Sequence, residues 1–387
     1  MRSARLRPSD PNLADATVTV RTVHFVVGAR PNFVKSAPVI RALIDRDVPT
    51  QVVHTGQHYD KEMSEIFMDE LEMPAPLARL GIGSGTHAEQ TARALIGVES
   101  VLAEHHPALV VVPGDVNSTL AGALAAVKLG IPVCHLEAGL RSFDDTMPEE
   151  HNRRLTDHIS SLLLVHSQSA VENLDREGVR GRVELVGNTM IDSLLANVDR
   201  ARAAHPWVDL DLEPRTYALV TLHRPSLVDD ARLLDLTVDG LVALAGSMPV
   251  VLPVHPRTRA RLEATGNAVR LARSRVVVTE PLSYLAFLGL MSEARAVVTD
   301  SGGVQEETSV LGVPCFTLRE NTERPVTVEV GTNTLLGAAP ERLSDVAGLL
   351  ERPKHGGPIP LWDGAAGERA AEAIVRYLDE REPLRED

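Results

Sequence analysis

The fold is decided by L-V-V-V-P-G-D (Leu109–Asp115), followed after a helix-length segment by L-G-I-P-V-C (Leu129–Cys134). The same arrangement returns later, from A-V-V-T-D-S-G-G (Ala296–Gly303) to L-G-V-P-C-F (Leu311–Phe316). Each copy places an apolar β-branched run, a turn with glycine, a helical segment and a second apolar run in sequence, as in a βαβ unit with parallel strands. The sequence therefore predicts two similar doubly wound domains.

Short apolar runs alternate with helix-period segments along the rest of the chain, and we predict a strand for each run. The first series is Thr22–Val27, Gln51–His54, Ala108–Val112, Pro132–His135, Leu162–Val165 and Val183–Val186, and the second is Tyr217–Thr221, Val250–Val254, Arg275–Val278, Ala296–Thr299 and Val313–Thr317. This alternation is typical of parallel sheets covered by helices on both faces. The predicted fold class is α/β, with two Rossmann-like domains facing a central cleft, where ligands of such sheets bind.

The length of 387 residues also suits two domains. The predicted division is a disordered tail at 1–18, an N-terminal domain at 19–190, a linker at 191–215 and a C-terminal domain at 216–365. Residues 366–387 are predicted to form a C-terminal helix that packs across the domain junction.

Composition excludes several classes of protein. Lys and Arg number 39 against 53 Asp and Glu, a formal net charge of −14, so a nucleic-acid partner is not expected. No apolar stretch approaches the roughly 20 residues that cross a bilayer, and no secretory signal is evident, so we expect a cytoplasmic protein without a membrane partner. Cys134 and Cys315 lie inside apolar runs and are predicted to be buried structural thiols.

The turn Ser301-Gly302-Gly303 follows a predicted strand and opens a helix. Free backbone N–H groups and the positive end of the helix dipole make such a turn a seat for phosphate. Glu306 and Glu307, farther along the helix, could offer a carboxylate to a sugar-like diol. The alternative is a tight turn with an N-cap serine and exposed acids.

The first strand-to-helix turn is G-A-R-P-N-F-V-K, where Arg30 and Lys35 could meet a negatively charged ligand. The alternative is that both are ordinary surface charges. The turn has neither the G-x-G-x-x-G spacing of dinucleotide-binding proteins nor a P-loop pattern.

Three acids follow predicted strands or begin the next helix: Asp115, Glu137 and Glu149. Each alone could cap a helix or complement its dipole. Together at one sheet edge they predict a group of carboxylates whose pKa values are pushed apart, as acid–base catalysis requires.

His223 and His255 each follow a strand of the second series and are predicted to face this group from the opposite domain. Neither has a second metal-ligating residue at short spacing, so we predict no metal site.

These segments together resemble one family, the non-hydrolysing UDP-N-acetylglucosamine 2-epimerases. The motifs that carry the resemblance, in order from about Val23 to Tyr377, are G-A-R-P, T-G-Q-H-Y-D, G-D-V-N-S-T, H-L-E-A-G-L-R-S, M-P-E-E-x-N-R-R-L-T-D-H, V-G-N-T-x-I-D, L-H-R-P, P-V-H-P-R-T, D-S-G-G-V-Q-E-E and T-E-R-P. The resemblance implies a glycosyltransferase-B-like fold, a cytoplasmic homodimer, and interconversion of UDP-GlcNAc and UDP-ManNAc without a cofactor.

The resemblance also implies roles for individual residues. It assigns nucleotide contacts to Arg30, Ser301, Gly302, Gly303 and Glu307, catalysis to Asp115, Glu137, Glu149 and His223, and a further active-site position to Arg324. Lys35 and His255 are also predicted to bind the substrate. Alternatives within the same fold are a hydrolysing epimerase that releases ManNAc and UDP, an epimerase of a related UDP-2-acetamido sugar, and a retaining glycosyltransferase. A UDP-sugar-binding regulator without turnover would not need this full catalytic set.

Overall fold

Parallel strands form two sheets in the part of the chain that the structure describes. The structure, a computed structural model, describes residues 21–56, 61–222, 230–254 and 256–381. The first sheet has the order β3-β2-β1-β4-β5-β6-β7 and the second has the order β10-β9-β8-β11-β12-β13. The strands are β1 Val23–Val27, β2 Thr50–His54, β3 Ala78–Arg79, β4 Leu109–Pro113, β5 Val133–Leu136, β6 Leu162–Val165, β7 Arg182–Leu185, β8 Ala218–Thr221, β9 Val250–Pro253, β10 Val276–Thr279, β11 Ala296–Thr299, β12 Cys315–Thr317 and β13 Asn333–Leu335.

Helices connect these strands and cover both faces of each sheet. They are α1 Arg30–Ile44, α2 Lys61–Glu70, α3 His87–His105, α4 Asn117–Lys128, α5 Pro148–Ile159, α6 Gln168–Arg176, α7 Thr189–Ala203, α8 Ala231–Ser247, α9 Pro256–Ala264, α10 Asn267–Ala272, α11 Tyr284–Ser292, α12 Gly302–Leu311, α13 Pro325–Glu329, α14 Val346–Leu349 and α15 Ala366–Glu380, with 3₁₀ turns at Val208–Leu210 and Pro340–Asp345. None of the described helices combines the length and apolar composition needed to span a membrane.

The predicted fold is confirmed. Every predicted strand is present, with ends that differ by no more than two residues, because most of them are apolar runs buried on both faces; β7 and β10 are only partly buried. Sequence reasoning missed β3 and β13, which are short edge strands without an apolar run. Cys134 and Cys315 are buried free thiols, as predicted.

The strand order fixes where loops converge. In the first sheet the direction of winding reverses between β1 and β4, which pair in parallel with Val23 beside Leu109. In the second sheet it reverses between β8 and β11. Loops that leave the carboxyl ends of strands at such switch points diverge and open a crevice.

One apolar core continues through both domains. It joins side chains of α1, both sheets, α7, α11 and α15 in a single cluster. Helix α7 packs against α11 so closely that a Cβ on Gly289 would lie 2.6 Å from the Ala201 carbonyl oxygen. Only glycine permits this approach, and the junction between the domains is therefore a packed surface rather than a loose linker.

Helix α15 returns to the first domain after the chain has completed the second sheet. It packs against α1 and α7. The Asp192 carboxylate of α7 accepts hydrogen bonds from the backbone N–H groups of Ala366 (3.2 Å) and Gly367 (2.6 Å). These N–H groups are at the first turn of α15, where a helix has no internal acceptors.

We expect Asp192→Ala to lower the free energy of unfolding by about 2 kcal/mol, because two buried N–H donors lose their acceptor. Urea denaturation followed by circular dichroism measures this change. Asp199→Ala, at an exposed position of the same helix, is the matched control. Equal stability of the two variants would contradict the capping role of Asp192.

Candidate active site

The strand ends of the two domains face each other across charged side chains. Glu137 follows β5 of the first domain, and Arg324 follows β12 in the second. Arg324 Nη2 lies 3.0 Å from Glu137 Oε1. The predicted cleft therefore brings two of the predicted site residues from opposite domains into direct contact.

Glu137 is held by its backbone and by two cations. Its φ of 72° lies in the left-handed region, which is uncommon for a residue with a side chain. Glu137 is 8% exposed, and its carboxylate pairs with Lys35 Nζ and with Arg324. Burial would raise the pKa of Glu137, but Lys35 and Arg324 lower it below its usual range. The result is an ionised carboxylate in a site with little water.

Lys35 does not lie on a solvated helix face. It is buried in α1, and its ammonium group contacts the Glu137 carboxylate. Arg30, at the first position of α1, is partly exposed, and its guanidinium lies 5.7 Å from the centroid of the Phe67 ring. The two basic residues of this turn therefore have different environments.

Asp115 lies at the end of β4 and is fixed by α5. Its carboxylate accepts hydrogen bonds from Arg153 Nε (2.9 Å) and Nη2 (2.5 Å), and its backbone oxygen accepts one from Asn152 Nδ2 (2.9 Å). The side chain is 22% exposed, more than that of Glu137. Asp115 is thus positioned firmly but remains accessible to a ligand.

The adjacent acids at the start of α5 have different environments. Glu150 is fully buried and accepts hydrogen bonds from Ser142, Phe143 and Arg153. Burial would raise the pKa of Glu150, but these hydrogen bonds and Arg153 lower it. Glu149 is partly exposed, and no hydrogen bond or ion pair joins it to another described residue. Glu150 therefore anchors the loop, and Glu149 is the carboxylate left for a ligand.

The Ser301-Gly302-Gly303 turn lies at the N-terminus of α12, as predicted. Its three residues are partly exposed, and the Ser301 side chain makes no capping hydrogen bond. A Cβ on Gly302 would lie 2.3 Å from Arg324 Nη1, and one on Gly303 would lie 2.8 Å from Met190 Cε. Gly302 thus lets Arg324 lie against the turn, which adds a guanidinium to the helix N-terminus as a seat for an anion.

Glu306 and Glu307 occupy different surroundings within α12. Glu306 is fully buried, 3.0 Å from Arg324 Nε and 3.3 Å from His166 Nε2. Burial would raise the pKa of Glu306, but Arg324 and His166 lower it. For Glu307, burial and the nearby Glu306 raise the pKa to about 8. Of the two, Glu307 is the carboxyl group left for a diol, and it is protonated at neutral pH.

We call the buried charged side chains between the domains the interdomain charge cluster. Its members are Lys35, Glu137, Arg153 and His166 from the first domain and Glu306, Arg319, Glu323 and Arg324 from the second. Glu323 lies 2.5 Å from Arg324 and 2.7 Å from Arg319, and it lies 3.8 Å from Arg153 across the junction. Sequence reasoning missed Arg153, His166, Arg319 and Glu323, although Glu323 adjoins Arg324 in T-E-R-P and Arg153 adjoins the predicted acids in P-E-E-H-N-R-R.

Part of the cluster has the spacing of metal ligands. One oxygen or nitrogen atom from each of Glu137, His166 and Glu306 lies within 4.8 Å of the others. Lys35 and Arg324 already pair with these carboxylates, however, and a divalent cation would be placed directly beside both positive charges. The arrangement of these carboxylates therefore fits the side-chain cations of Lys35 and Arg324 better than a metal ion. His223 and His255 lie outside the described residues.

We expect Glu307→Gln to flatten the pH dependence of stability. With a folded-state pKa near 8, protonated Glu307 contributes stability that is fully present below its unfolded-state pKa and is lost as pH rises through about 8. Between pH 6 and pH 9 the wild type should lose roughly 2 kcal/mol more than the variant. Urea denaturation across this range measures the difference, with exposed Glu104→Gln as the control. Parallel curves for wild type and variant would contradict the protonated state of Glu307.

Comparison with known proteins agrees with this geometry. The family model described as UDP-N-acetylglucosamine 2-epimerase matches residues 41–375. The UDP-N-acetylglucosamine 2-epimerase of Methanocaldococcus jannaschii is 44% identical over 363 residues, 91% of this chain and 97% of that protein. The UDP-2,3-diacetamido-2,3-dideoxy-D-glucuronate 2-epimerase of Pseudomonas aeruginosa is 42% identical over 360 residues, 91% of this chain and 98% of that protein.

Solved structures give the same result. The crystal structure of the M. jannaschii enzyme in complex with UDP-GlcNAc and UDP superposes with a TM-score of 0.86 at 43% identity, covering 93% of this chain and 99% of that one. The Neisseria meningitidis enzyme bound to UDP-GlcNAc gives a TM-score of 0.78 at 29% identity, covering 93% and 100%. The chain belongs to the UDP-N-acetylglucosamine 2-epimerase family.

Proposed function

We propose that this protein interconverts UDP-GlcNAc and UDP-ManNAc by epimerisation at carbon 2. The observation that carries the proposal is the contact between Glu137 and Arg324 across the domain junction. It places an ionised carboxylate beside a guanidinium that lies on the Ser301-Gly302-Gly303 turn. A base for the sugar and an electrostatic clamp for a diphosphate are thus adjacent in one buried site.

The second domain supplies the proposed nucleotide site. Backbone N–H groups at the start of α12 and the Arg324 guanidinium favour a diphosphate there. Glu307 lies one turn farther along the same helix, and burial raises its pKa to about 8. A protonated carboxyl group both donates and accepts hydrogen bonds, which suits the paired hydroxyl groups of a ribose.

The chemistry explains why carboxylates are needed around the sugar. The hydrogen at carbon 2 is not next to a carbonyl group, so its direct removal is slow. As the bond between carbon 1 and the UDP oxygen breaks, positive character at carbon 1 acidifies this hydrogen. A carboxylate takes the proton, the electron pair of the C–H bond forms the C1–C2 double bond, and UDP leaves. The products of this anti elimination are UDP and 2-acetamidoglucal.

Re-addition completes the epimerisation. UDP returns to carbon 1, and an acid delivers a proton to the opposite face of carbon 2, so carboxyl groups are needed on both sides of the ring. We assign these roles to two of Asp115, Glu137 and Glu149, and we assign stabilisation of the leaving diphosphate to Arg30 and His223. No external oxidant or cofactor enters the balance of this proposed reaction.

One relative favours a second candidate substrate. The P. aeruginosa protein named for a UDP-2,3-diacetamido sugar is 42% identical to this chain, against 44% for the M. jannaschii protein named for UDP-GlcNAc. These two sequence identities are too close to decide between the two sugar substrates. Both reactions invert carbon 2, and the proposed elimination serves either substrate. A UDP-2,3-diacetamido uronate is therefore the alternative substrate.

The family resemblance also supports a homodimer and a cytoplasmic location, where UDP-sugars are made. Both stay predictions. The net charge of −14 argues against a nucleic-acid partner.

Proton NMR of the purified protein with UDP-GlcNAc in deuterated water tests the reaction. We expect UDP-ManNAc with deuterium at carbon 2, without added metal or cofactor, because the elimination exchanges this hydrogen with solvent. Accumulation of free ManNAc and UDP would instead indicate the hydrolysing reaction. An unchanged spectrum with UDP-GlcNAc, together with turnover of the diacetamido uronate, would indicate the second candidate.

We expect Asp115→Asn, Glu137→Gln and Glu149→Gln each to lower kcat by about 100-fold, the usual scale for removal of an acid or base. UDP affinity measured by calorimetry should change little in Asp115→Asn and Glu149→Gln, since neither residue pairs with Arg324 at the proposed nucleotide site. Exposed Glu104→Gln is the control for a carboxylate outside the cleft. Wild-type turnover in any of the three variants would remove that residue from the mechanism.

A further inference from the structure

His135 occupies a fully buried position in β5 with polar contacts at both ring nitrogens. Its Nδ1 atom lies 2.6 Å from Asp157 Oδ1, and its Nε2 atom lies 2.7 Å from the carbonyl oxygen of Gly114. The carbonyl oxygen can only accept a hydrogen bond, so Nε2 carries the hydrogen and donates it. His135 therefore links α5, which carries Asp157, to the loop after β4.

Asp157 holds the imidazole ring in this orientation. It is fully buried in α5, and its carboxylate also contacts Arg141 Nη1 (2.8 Å) and the backbone N–H of Gly139 (3.2 Å). Arg141 in turn forms a bidentate pair with Glu177, at 2.8 Å and 2.6 Å. Burial would raise the pKa of Asp157, but His135 and Arg141 lower it, so the carboxylate stays ionised. The ring is thus oriented by a rigid and electrically balanced network.

The Gly114 carbonyl belongs to the same peptide group as the Asp115 N–H. Gly114 has a φ of 68°, and its own N–H donates to the Leu136 carbonyl oxygen at 2.9 Å. Both polar groups of Gly114 are therefore tied to β5, one through Leu136 and one through His135. The backbone from which the Asp115 side chain emerges has little freedom to rotate.

Helix α5 completes this arrangement on the other side of Asp115. Asn152 donates to the Asp115 backbone oxygen, and Arg153 donates to its carboxylate. The Asp157–His135 pair fixes the preceding peptide group. One helix thus holds Asp115 at its side chain, at its own carbonyl and at the peptide before it.

We propose that His135 is a positioning residue for the reaction, whose Nε2–H fixes the Gly114–Asp115 peptide and with it the Asp115 carboxylate. This inference rests on the proposed function, in which Asp115 is one of the acid–base candidates. His135 itself is buried within the sheet and acts through Asp115, because it contacts Gly114 and Asp157 rather than the cleft. A misplacement of about 1 Å in a reacting group lowers turnover by about 100-fold.

Two amide substitutions separate the contacts of the ring. The side-chain nitrogen of glutamine reaches about as far as Nε2 and can donate to the Gly114 carbonyl, whereas that of asparagine reaches only as far as Nδ1. We expect His135→Gln to keep kcat within about 5-fold of wild type and His135→Asn to lower kcat by about 100-fold. KM should change little in both, because the nucleotide site lies in the second domain.

His24→Gln is the matched control. His24 is equally buried in β1, but it lies near the amino end of that strand, away from the cleft, and its substitution should leave kcat unchanged. His135→Leu, which fills much of the ring's volume but cannot donate a hydrogen bond, provides a second variant if His135→Asn does not fold. Without a donor to the Gly114 carbonyl oxygen, kcat should still fall by at least about 10-fold at unchanged KM.

The outcomes distinguish this inference from the proposed function. The assay is the deuterium-exchange NMR reaction, with folding checked by thermal denaturation. If the wild type is active, an equal kcat in His135→Gln and His135→Asn overturns the positioning role alone, as does an unchanged kcat in His135→Leu. A wild-type protein that turns over neither UDP-GlcNAc nor the diacetamido uronate overturns the proposed function and this inference with it.

Discussion

The arrangement of the site depends on the pairing of one buried guanidinium, that of Arg324. It is 4% exposed and contacts Glu306 and Glu323 of its own domain and Glu137 of the other. An uncompensated buried ion costs several kcal/mol, so this cation requires carboxylates around it. Because one of them belongs to the first domain, the pairing holds the carboxyl ends of both sheets together. The carboxylates have the same requirement, since burial would otherwise protonate them.

Such a cluster contributes more to the electric field of the site than to stability. Buried ion pairs contribute little net stability relative to apolar packing of the same volume, and here the junction already has an apolar core through α7 and α11. Fixed charges in a dry site, however, stabilise developing charge without reorganisation during the reaction. The apolar core therefore joins the domains, and the interdomain charge cluster sets the electrostatics between them.

The sequence was sufficient to predict the elements and the loops but not the pairings. Apolar β-branched runs identified the central strands, and the rule for switch points located Asp115, Glu137 and Ser301 near one crevice. The partners of the charged residues depend on contacts between distant segments. Lys35 looks like any surface lysine until α1 brings it against Glu137, and Glu306 looks like an exposed acid until Arg324 and His166 surround it. The edge strand β13 has no apolar run of its own and forms because β12 offers a free edge.

The two cations that pair with Glu137 have two opposite effects on its role as a base in the proposed reaction. They keep the carboxylate ionised, but a carboxylate with a lowered pKa is a weak base for a carbon-bound hydrogen. One of these cations, Arg324, also lies on the Ser301-Gly302-Gly303 turn, where a diphosphate would bind. A guanidinium shared with a diphosphate stabilises Glu137 less, so the pKa of Glu137 rises when the nucleotide is present. On the proposed function, Glu137 is therefore a stronger base in the complex than in the free protein, because the substrate itself changes the charge around it.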